Sequence, residues 1–208
     1  MKVKMCGMRN EEEALKVAEL RPDAIGLILE GIGTNLISKE KAQQIVQAVN
    51  RLNMRISTFL LTNATDPQTN IEYASFVGST HIQLKGMISP QNVEVIKREM
   101  PQLRIVKVIH VTGPEAIEVA KSYEDTGVLD ALLLDSSLGN MTGGTGKVHN
   151  WAVSRSIVEA SSVPIWLAGG LNPTNLRTSI RIAIRQGFHR TGKALTRLLI
   201  PILFVVAG

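Results

Sequence analysis

The chain has 208 residues, of which 44% are hydrophobic and 20% are charged, a composition typical of one globular domain. Its single cysteine excludes a disulfide framework and a multi-cysteine zinc site. Its eight aromatic residues argue against a stacking surface for nucleic acid. No apolar run reaches the about 20 residues that span a bilayer, and the amino terminus lacks the apolar core of a signal peptide. We therefore expect a cytoplasmic protein, a single domain over residues 1–208, that binds neither nucleic acid nor membrane.

The formal net charge of +5 comes entirely from the end of the chain. From residue 172 to residue 208 there are five arginines, one lysine and no acidic residue, so this segment carries +6 and the preceding 171 residues carry −1. A basic protein would favour nucleic-acid binding. Here the positive charge belongs to one segment, and the remainder of the chain is close to neutral.

Seven short apolar runs alternate with helical segments along most of the chain. The runs predict strands at Lys2–Cys6, Ala24–Leu29, Arg55–Leu60, His81–Leu84, Arg104–Ile109, Ala131–Leu134 and Pro164–Ala168. Helices are predicted near Asn10–Leu20, Ser38–Leu52, Thr69–Val77, Ser89–Met100, Gly113–Thr126 and Asn150–Ala160, with a seventh opening at Asn172. Seven regular strand–helix units predict an α/β fold, a (β/α)8 TIM barrel with a parallel sheet.

The eighth unit of this barrel is predicted to be atypical or incomplete. Residues 187–208 form a basic tail in which Ile202–Val206 is long enough for a strand but leaves no room for a helix after it. We find no linker or low-complexity stretch before this tail, so the whole chain is predicted to be one barrel domain.

Cys6 ends the first predicted strand and is followed by Gly7, at the end of the barrel where catalytic groups project. The two-residue period of a strand puts Lys4 and Cys6 on one face and Val3 and Met5 on the other. A nearby ammonium favours the thiolate, the form of cysteine that acts as a base or nucleophile. A free cysteine is more commonly a small buried hydrophobe, so the residue alone leaves both interpretations open.

Asp135 ends the sixth predicted strand, a position that suits a general acid or base and, equally, a turn former. Two glycine-rich segments follow strands, Gly143–Lys147 and Gly169–Gly170. Backbone N–H groups of such segments bind phosphate, and Gly169–Gly170 is the better candidate because the helix predicted at Asn172 begins directly after it. Gly143–Lys147 lacks the spacing of a Walker loop and is equally interpreted as a mobile lid.

The histidines give no indication of a metal site. They are His81, His110, His149 and His189, and none has the spacing of metal ligands. No Ser–His–Asp arrangement can be argued either. His81 begins a strand, at the end of the barrel that serves stability, and is predicted to be structural.

Three motifs together resemble the phosphoribosylanthranilate isomerase family. They are Lys4-Met5-Cys6-Gly7-Met8 at the start of the chain, Leu134-Asp135-Ser136 followed by Gly143–Lys147 and Asn150-Trp151, and finally Leu167-Ala168-Gly169-Gly170-Leu171-Asn172-Pro173. The resemblance extends from residue 2 to about residue 186, with all motifs in order.

This resemblance implies an Amadori rearrangement of tryptophan biosynthesis, the aldose–ketose isomerisation of N-(5-phosphoribosyl)anthranilate to 1-(2-carboxyphenylamino)-1-deoxyribulose 5-phosphate. By position in the motifs, Asp135 is expected to be the general acid and Cys6 the general base, with no metal or organic cofactor. The partner is then a small phosphosugar–anthranilate substrate, bound by a monomer or a homodimer. Substrate and phosphate contacts are expected from Gly7, Gln83, Lys85, Gly144, Gly146, Gly169 and Gly170.

The sequence departs from the family's pattern at three places. Asn35 stands where the family carries an arginine that contacts the anthranilate carboxylate. Lys85 replaces a histidine after the fourth strand and offers a point charge without the bidentate fork of arginine. The family's phosphate-binding run on strand eight, Gly-Val-Asp-x-Ser-Ser-Gly, is absent from the tail. We therefore expect weak phosphate affinity and impaired isomerase activity.

Two alternative functions remain open. Asn35 and Lys85 suggest a paralogue that acts on another phosphosugar. The basic tail with its apolar end at Ile200–Val206 suggests a non-catalytic protein that binds a partner or a membrane surface, although this stretch is too short to span a bilayer. A reading-frame change near residues 176–187 and genuine divergence would each explain the tail.

Overall fold

Seven parallel strands and six helices alternate along the part of the chain that the structure, a computed structural model, describes: residues 2–30, 35–135 and 151–169. The strands are β1 Lys4–Cys6, β2 Ala24–Ile28, β3 Ser57–Thr62, β4 His81–Leu84, β5 Arg104–His110, β6 Ala131–Asp135 and β7 Ile165–Ala168. The helices are α1 Glu11–Glu19, α2 Lys39–Arg51, α3 Pro67–Val77, α4 Pro90–Glu99, α5 Ala116–Glu124 and α6 Trp151–Ala160.

Each strand pairs with the next one in the chain, so the order across the sheet is β1 to β7 and every pairing is parallel. This arrangement confirms the predicted α/β class and the strand–helix repeat of a (β/α)8 barrel. The helix predicted at Asn172 and the tail at 187–208 lie outside the described residues. None of the helices within the described ranges is long and apolar enough to cross a membrane.

The predicted strands are confirmed with bounds that differ by two residues or fewer. Two helices begin elsewhere than predicted. Helix α3 begins at Pro67, two residues early, because Asp66 caps it by accepting a hydrogen bond from the Thr69 N–H at 2.8 Å. Helix α5 begins at Ala116, three residues late, because Gly113 starts a turn whose carbonyl accepts from the Ala116 N–H at 3.1 Å.

Alternate residues of each strand face two different cores. The interior cluster lies inside the barrel and consists of Cys6, Ala24, Phe59, Leu61, Val106, Val108, Ala131, Leu133, Trp166 and Ala168. The outer core lies between strands and helices and includes Ile25, Leu60 and Ile105 from the strands and Ile45, Val93 and Ile157 from the helices. Because side chains alternate with a period of two, every second residue of a strand faces the barrel interior, up to the carboxyl end of that strand.

Candidate active site

The carboxyl ends of the strands bring the predicted acid, base and lysine to one rim of the barrel. Cys6 ends β1, Asp135 ends β6, and Lys85 directly follows β4. The Lys4 ammonium interacts electrostatically with both Cys6 and Asp135, and the Lys85 ammonium interacts with Cys6. Cys6 and Asp135 therefore each interact with Lys4, and Lys85 interacts with Cys6, at one end of the barrel.

Cys6 points into the barrel interior and is only 4% exposed. Its Cα pairs in register with that of Gly26 on β2. A Cβ built on Gly26 would overlap the Cys6 Sγ and would also lie 3.3 Å from the Leu61 side chain. Glycine at position 26 therefore provides the room that the thiol occupies.

Lys4 lies one interior position before Cys6 and is fully buried. Its Nζ donates a hydrogen bond to Gln83 Oε1 and is also hydrogen-bonded to the Cys6 side chain. The same nitrogen lies 4.4 Å from the centroid of the Phe59 ring and 5.9 Å from that of Trp166. Aromatic faces stabilise an ammonium, so these two rings favour the charged form of Lys4 in the barrel interior.

Burial dominates the ionisation of this pair. Loss of hydration raises the pKa of the Cys6 thiol, although Lys4 and Lys85 act to lower it. Burial also lowers the pKa of Lys4, opposed by the charges of Cys6 and Asp135. The expectation that a neighbouring ammonium favours the thiolate is right in direction, but the effect is outweighed, and the resting form of Cys6 at neutral pH is the thiol.

The segment after β4 presents Lys85 at the rim and packs closely on the segment after β3. The Lys85 N–H donates to the Thr62 carbonyl at 2.9 Å. A Cβ on Gly86 would overlap the carbonyl group of Asn63, so only glycine allows the two segments to approach this closely. Gln83, the last interior residue of β4, is buried and accepts from Lys4.

Lys107 holds the same segment from the outer face of β5. Its Nζ donates to the carbonyls of Leu84 at 3.3 Å, Gly86 at 3.0 Å and Val108 at 2.8 Å, and lies 5.0 Å from the Tyr123 ring centroid. Burial lowers the pKa of Lys107 to about 8. Three carbonyls match the three donors of an ammonium, so this lysine remains mostly charged at neutral pH and fixes the loop that carries Lys85.

Asp135 and His110 are neighbours at the ends of β6 and β5. Their Cα atoms pair in register, and the Val111 N–H donates to the Asp135 carbonyl at 3.0 Å. Asp135 is half-buried and His110 is exposed. Because Leu133 and Val108 belong to the interior cluster, the residues two positions later lie on the interior face as well.

Two predicted glycines carry the backbone conformation that favours glycine. Gly7 has φ +94° and donates its N–H to the Gly26 carbonyl at 3.0 Å, and a Cβ on it would lie 2.9 Å from Asn35 Nδ2. Asn35 therefore lies against the loop that follows β1. Gly169 has φ +80° directly after β7. The predicted phosphate contacts Gly144, Gly146 and Gly170 lie outside the described residues.

His81 packs as the sequence predicts for a structural residue. Its ring stacks on Phe59 at 4.2 Å between centroids, and its Nδ1 lies 2.8 Å from Thr80 Oγ1. Burial, reinforced by the charge of Arg104, lowers the pKa of His81 to about 4, so this ring is neutral at neutral pH. Within residues 2–30, 35–135 and 151–169, no group of three or more His, Cys, Asp or Glu residues is placed to hold a metal ion.

Two residues near the rim were missed by sequence analysis. Lys107 stands inside the otherwise apolar run Ile105–Ile109, and a lysine in a buried strand is a signal for a charge with fixed partners. His110 ends β5 just as Asp135 ends β6, so the rule that assigned a role to Asp135 applies to His110 as well.

Comparison with known proteins gives a consistent result. The profile of the family described as N-(5'-phosphoribosyl)anthranilate (PRA) isomerase matches residues 3–188, which ends where the basic tail begins. The chain is 35% identical to N-(5'-phosphoribosyl)anthranilate isomerase 2 of Methanosarcina mazei, over 90% of this chain and 82% of that protein. It is 34% identical to N-(5'-phosphoribosyl)anthranilate isomerase of Methanocella arvoryzae, over 88% and 83%. The crystal structure of phosphoribosyl anthranilate isomerase from Thermotoga maritima is similar with a TM-score of 0.75 at 26% identity, over 88% and 83%.

Proposed function

The chain belongs to the N-(5'-phosphoribosyl)anthranilate isomerase family, and we propose that it catalyses the aldose–ketose isomerisation of N-(5-phosphoribosyl)anthranilate in tryptophan biosynthesis. The observation that carries the proposal is the placement of Cys6 and Asp135 at one rim of the barrel, both within electrostatic reach of Lys4. We propose that the enzyme acts in the cytoplasm as a monomer or homodimer. Acid–base chemistry of this kind needs no metal or organic cofactor.

Asp135 is proposed as the general acid and Cys6 as the general base. Asp135 gives its proton to the ring oxygen while the bond from that oxygen to C1 breaks, and the lone pair of the anilino nitrogen forms an iminium. Cys6 removes the proton from C2, and the electrons of that bond form the C1–C2 double bond of an enolamine. Tautomerisation of the enolamine gives the C2 ketone, so substrate and product are isomers.

Cys6 has to lose its own proton before it can act as a base. Lys4 is placed to accept that proton as a neutral amine, because the two side chains are hydrogen-bonded and burial lowers the pKa of Lys4, which favours the neutral form. The resulting ammonium is stabilised by Gln83 Oε1 and by the Phe59 ring at 4.4 Å. Lys4 and Gln83 are therefore proposed as the residues that generate the thiolate inside an apolar interior.

The anthranilate carboxylate is proposed to bind Lys85. Asn35 lies against Gly7 and supplies no charge, whereas Lys85 is held at the rim close enough to Cys6 to act on its pKa. Lysine binds a carboxylate as a point charge, so the orientation of the aryl group is set less strictly than with a bidentate arginine. Lys85 thus takes over a contact that the family makes from the loop after strand two.

The phosphate is proposed to bind at the segment after β7. Gly169 adopts φ +80°, a conformation in which the backbone of a glycine turn can direct N–H groups to an anion. Gly170 is proposed to supply a second donor there, and Gly144 and Gly146 further contacts. The strand-eight run of the family is absent from the sequence. We therefore expect weak phosphate affinity. Loss of two charge-assisted hydrogen bonds would lower the affinity by about 10²-fold.

A paralogue that acts on another phosphosugar is the second candidate. The observation that favours it is Asn35, which lies beside Gly7 at the mouth in place of a cation. Such an enzyme would retain the acid, the base and the phosphate contacts and would lack strict selectivity for an aryl carboxylate.

Complementation of a tryptophan auxotroph that lacks this isomerase tests the proposed function. The full chain is expected to restore growth without tryptophan. The Cys6→Ser and Asp135→Asn chains, expressed at the same level, are expected not to restore growth. Purified protein is then assayed for conversion of N-(5-phosphoribosyl)anthranilate and of the same phosphosugar bearing aniline, which lacks the carboxylate. Turnover of neither compound would contradict the proposal, and a preference for the aniline compound would favour the second candidate.

A further inference from the structure

His110 on β5 is the register partner of the proposed general acid Asp135 on β6, and its side chain is exposed at the rim. The two residues pair in register, and both continue the interior face of their strands beyond Val108 and Leu133. Adjacent parallel strands lie about 4.8 Å apart, so side chains of paired residues on one face are direct neighbours. On the other side of Asp135, the register partner on β7 is the apolar Ala168.

We propose that His110 returns to Asp135 the proton that Asp135 gives up in each turnover. This inference rests on the proposed function, and it deepens that function by assigning a positioning and proton-returning residue that neither the motifs nor the comparisons identify. His110 acts through Asp135 and has no direct contact with the reacting atoms.

The proton balance of the reaction requires such a step. Each isomerisation leaves Asp135 as a carboxylate, because its proton stays on the former ring oxygen, and it leaves one extra proton on the Cys6–Lys4 pair. The substrate and product have the same number of protons. One proton must therefore reach Asp135 and one must leave the Cys6–Lys4 pair before the next turnover.

The placement of His110 suits it to the first of these transfers. Protonated His110 gives a proton to the Asp135 carboxylate, and the neutral imidazole takes a proton from water or buffer, for which its exposure at the rim provides access. Imidazole is the side chain that exchanges protons most readily near neutral pH. Lys4 also interacts with Asp135, but it is fully buried and already hydrogen-bonded to Cys6 and Gln83.

His110→Gln in the full-length protein tests this step by separating the first turnover from later ones. In weakly buffered solution we expect the first turnover, measured in rapid mixing with excess enzyme, to change less than about twofold. The steady-state kcat is expected to fall at least about tenfold and to recover as imidazole is added, because a soluble acid replaces the missing one. Arg104→Gln is the matched control, since Arg104 is exposed and begins the same strand at the opposite end.

Three results of this experiment would overturn the proposal. An equal loss in the first turnover would show that His110 shapes the site or binds substrate. A steady-state kcat that is unchanged, or that imidazole fails to restore, would show that the proton reaches Asp135 by another route, such as directly from Lys4.

A second measurement keeps the test independent of isomerase activity. The ring resonances of His110 are assigned by NMR through His110→Gln and are compared at one fixed pH between the native chain and Asp135→Asn. Because the two residues pair in register on one face of adjacent strands, loss of the carboxylate is expected to move these resonances. Unchanged resonances overturn the inference whether or not the chain is an isomerase, whereas moved resonances in a chain without turnover contradict the proposed function and not the pairing.

Discussion

The thiol of Cys6 occupies the space in which a side chain on Gly26 would have to lie. The two residues pair in register across β1 and β2 on the interior face of the barrel. A glycine within a buried strand contributes no packing and costs backbone entropy, and it commonly marks a close approach. Gly26 therefore belongs to the site although it carries no reactive group.

Gly26→Ala is expected to displace Cys6 and to lower the free energy of unfolding by about 1–3 kcal/mol, as overpacking does in other cores. The same change should lower kcat, because the base no longer lies at its position. Urea unfolding and steady-state kinetics measure the two effects. The double variant Cys6→Ala/Gly26→Ala is the control and should regain most of the stability but none of the activity. A single variant as stable and active as the native chain would contradict the role of Gly26.

Lys4→Met is expected to raise the pKa of Cys6 further, because Lys4 is the group that lowers this pKa most. Cys6 is the only cysteine of the chain, so the ultraviolet absorbance of the thiolate, taken as a difference from Cys6→Ser, reports this residue alone. We expect the titration midpoint to move to higher pH. Lys4→Met leaves Gln83 Oε1 without its donor. The double variant Lys4→Met/Gln83→Leu removes this acceptor as well, so it should recover stability without restoring the titration midpoint of Cys6.

Asp135→Asn is expected to lower kcat and kcat/KM by a similar factor of about 10²–10⁴, because the lost proton transfer occurs only in the transition state. Substrate affinity should change little. Steady-state kinetics at saturating and limiting substrate provide both numbers. A variant that raises KM while kcat stays native would assign Asp135 to substrate binding in place of acid catalysis.

The sequence was sufficient for the strands, for the helix starts at Ser38 and Ser89 and for the positions of Cys6 and Asp135, since these follow from local periodicity, from capping residues and from the rule that parallel strands end at one edge. It was insufficient for the ionisation of Cys6. The presence of Lys4 indicates a thiolate, but the balance depends on how completely both groups lose water, which is a property of the assembled interior.

The role of Lys107 was also beyond the sequence, because its partners are carbonyls and carry no side-chain signal. Its Nζ reaches the carbonyls of Leu84 and Gly86 from the neighbouring strand. Which backbone atoms lie near a side chain is decided by strand register, and the register becomes known only from the folded sheet.

Lys107→Met is expected to loosen the loop that presents Lys85 and to leave three carbonyls without their donor. We expect a loss of about 3 kcal/mol or more in the free energy of unfolding, the usual cost of stranding buried acceptors of a charged donor. The displaced Lys85 should raise KM more than it lowers kcat. Lys97→Met is a matched control, since Lys97 also donates to a carbonyl, that of Leu103 at 3.0 Å, but lies on α4 away from the rim.

The effect of Lys107 on stability should depend on pH in a direction that its pKa fixes. The folded chain holds the pKa of Lys107 at about 8, against an ordinary value of 10.5, because burial disfavours the ammonium. Between these two values the unfolded chain binds more protons than the folded one, so the contribution of Lys107 to stability rises with pH through this window. This pH-dependent part of the contribution is complete above pH 10.5 and is lost as the pH falls through 8.

The measurement is the free energy of urea unfolding of the native chain minus that of Lys107→Met, taken from pH 7 to pH 11. Subtracting the variant removes the titration of all other groups that both chains share. The difference should grow by up to about 3 kcal/mol across the window, at about 1.4 kcal/mol for each pH unit between the two pKa values. A difference that stays constant with pH would mean that the three carbonyls stabilise the ammonium enough to offset the loss of hydration.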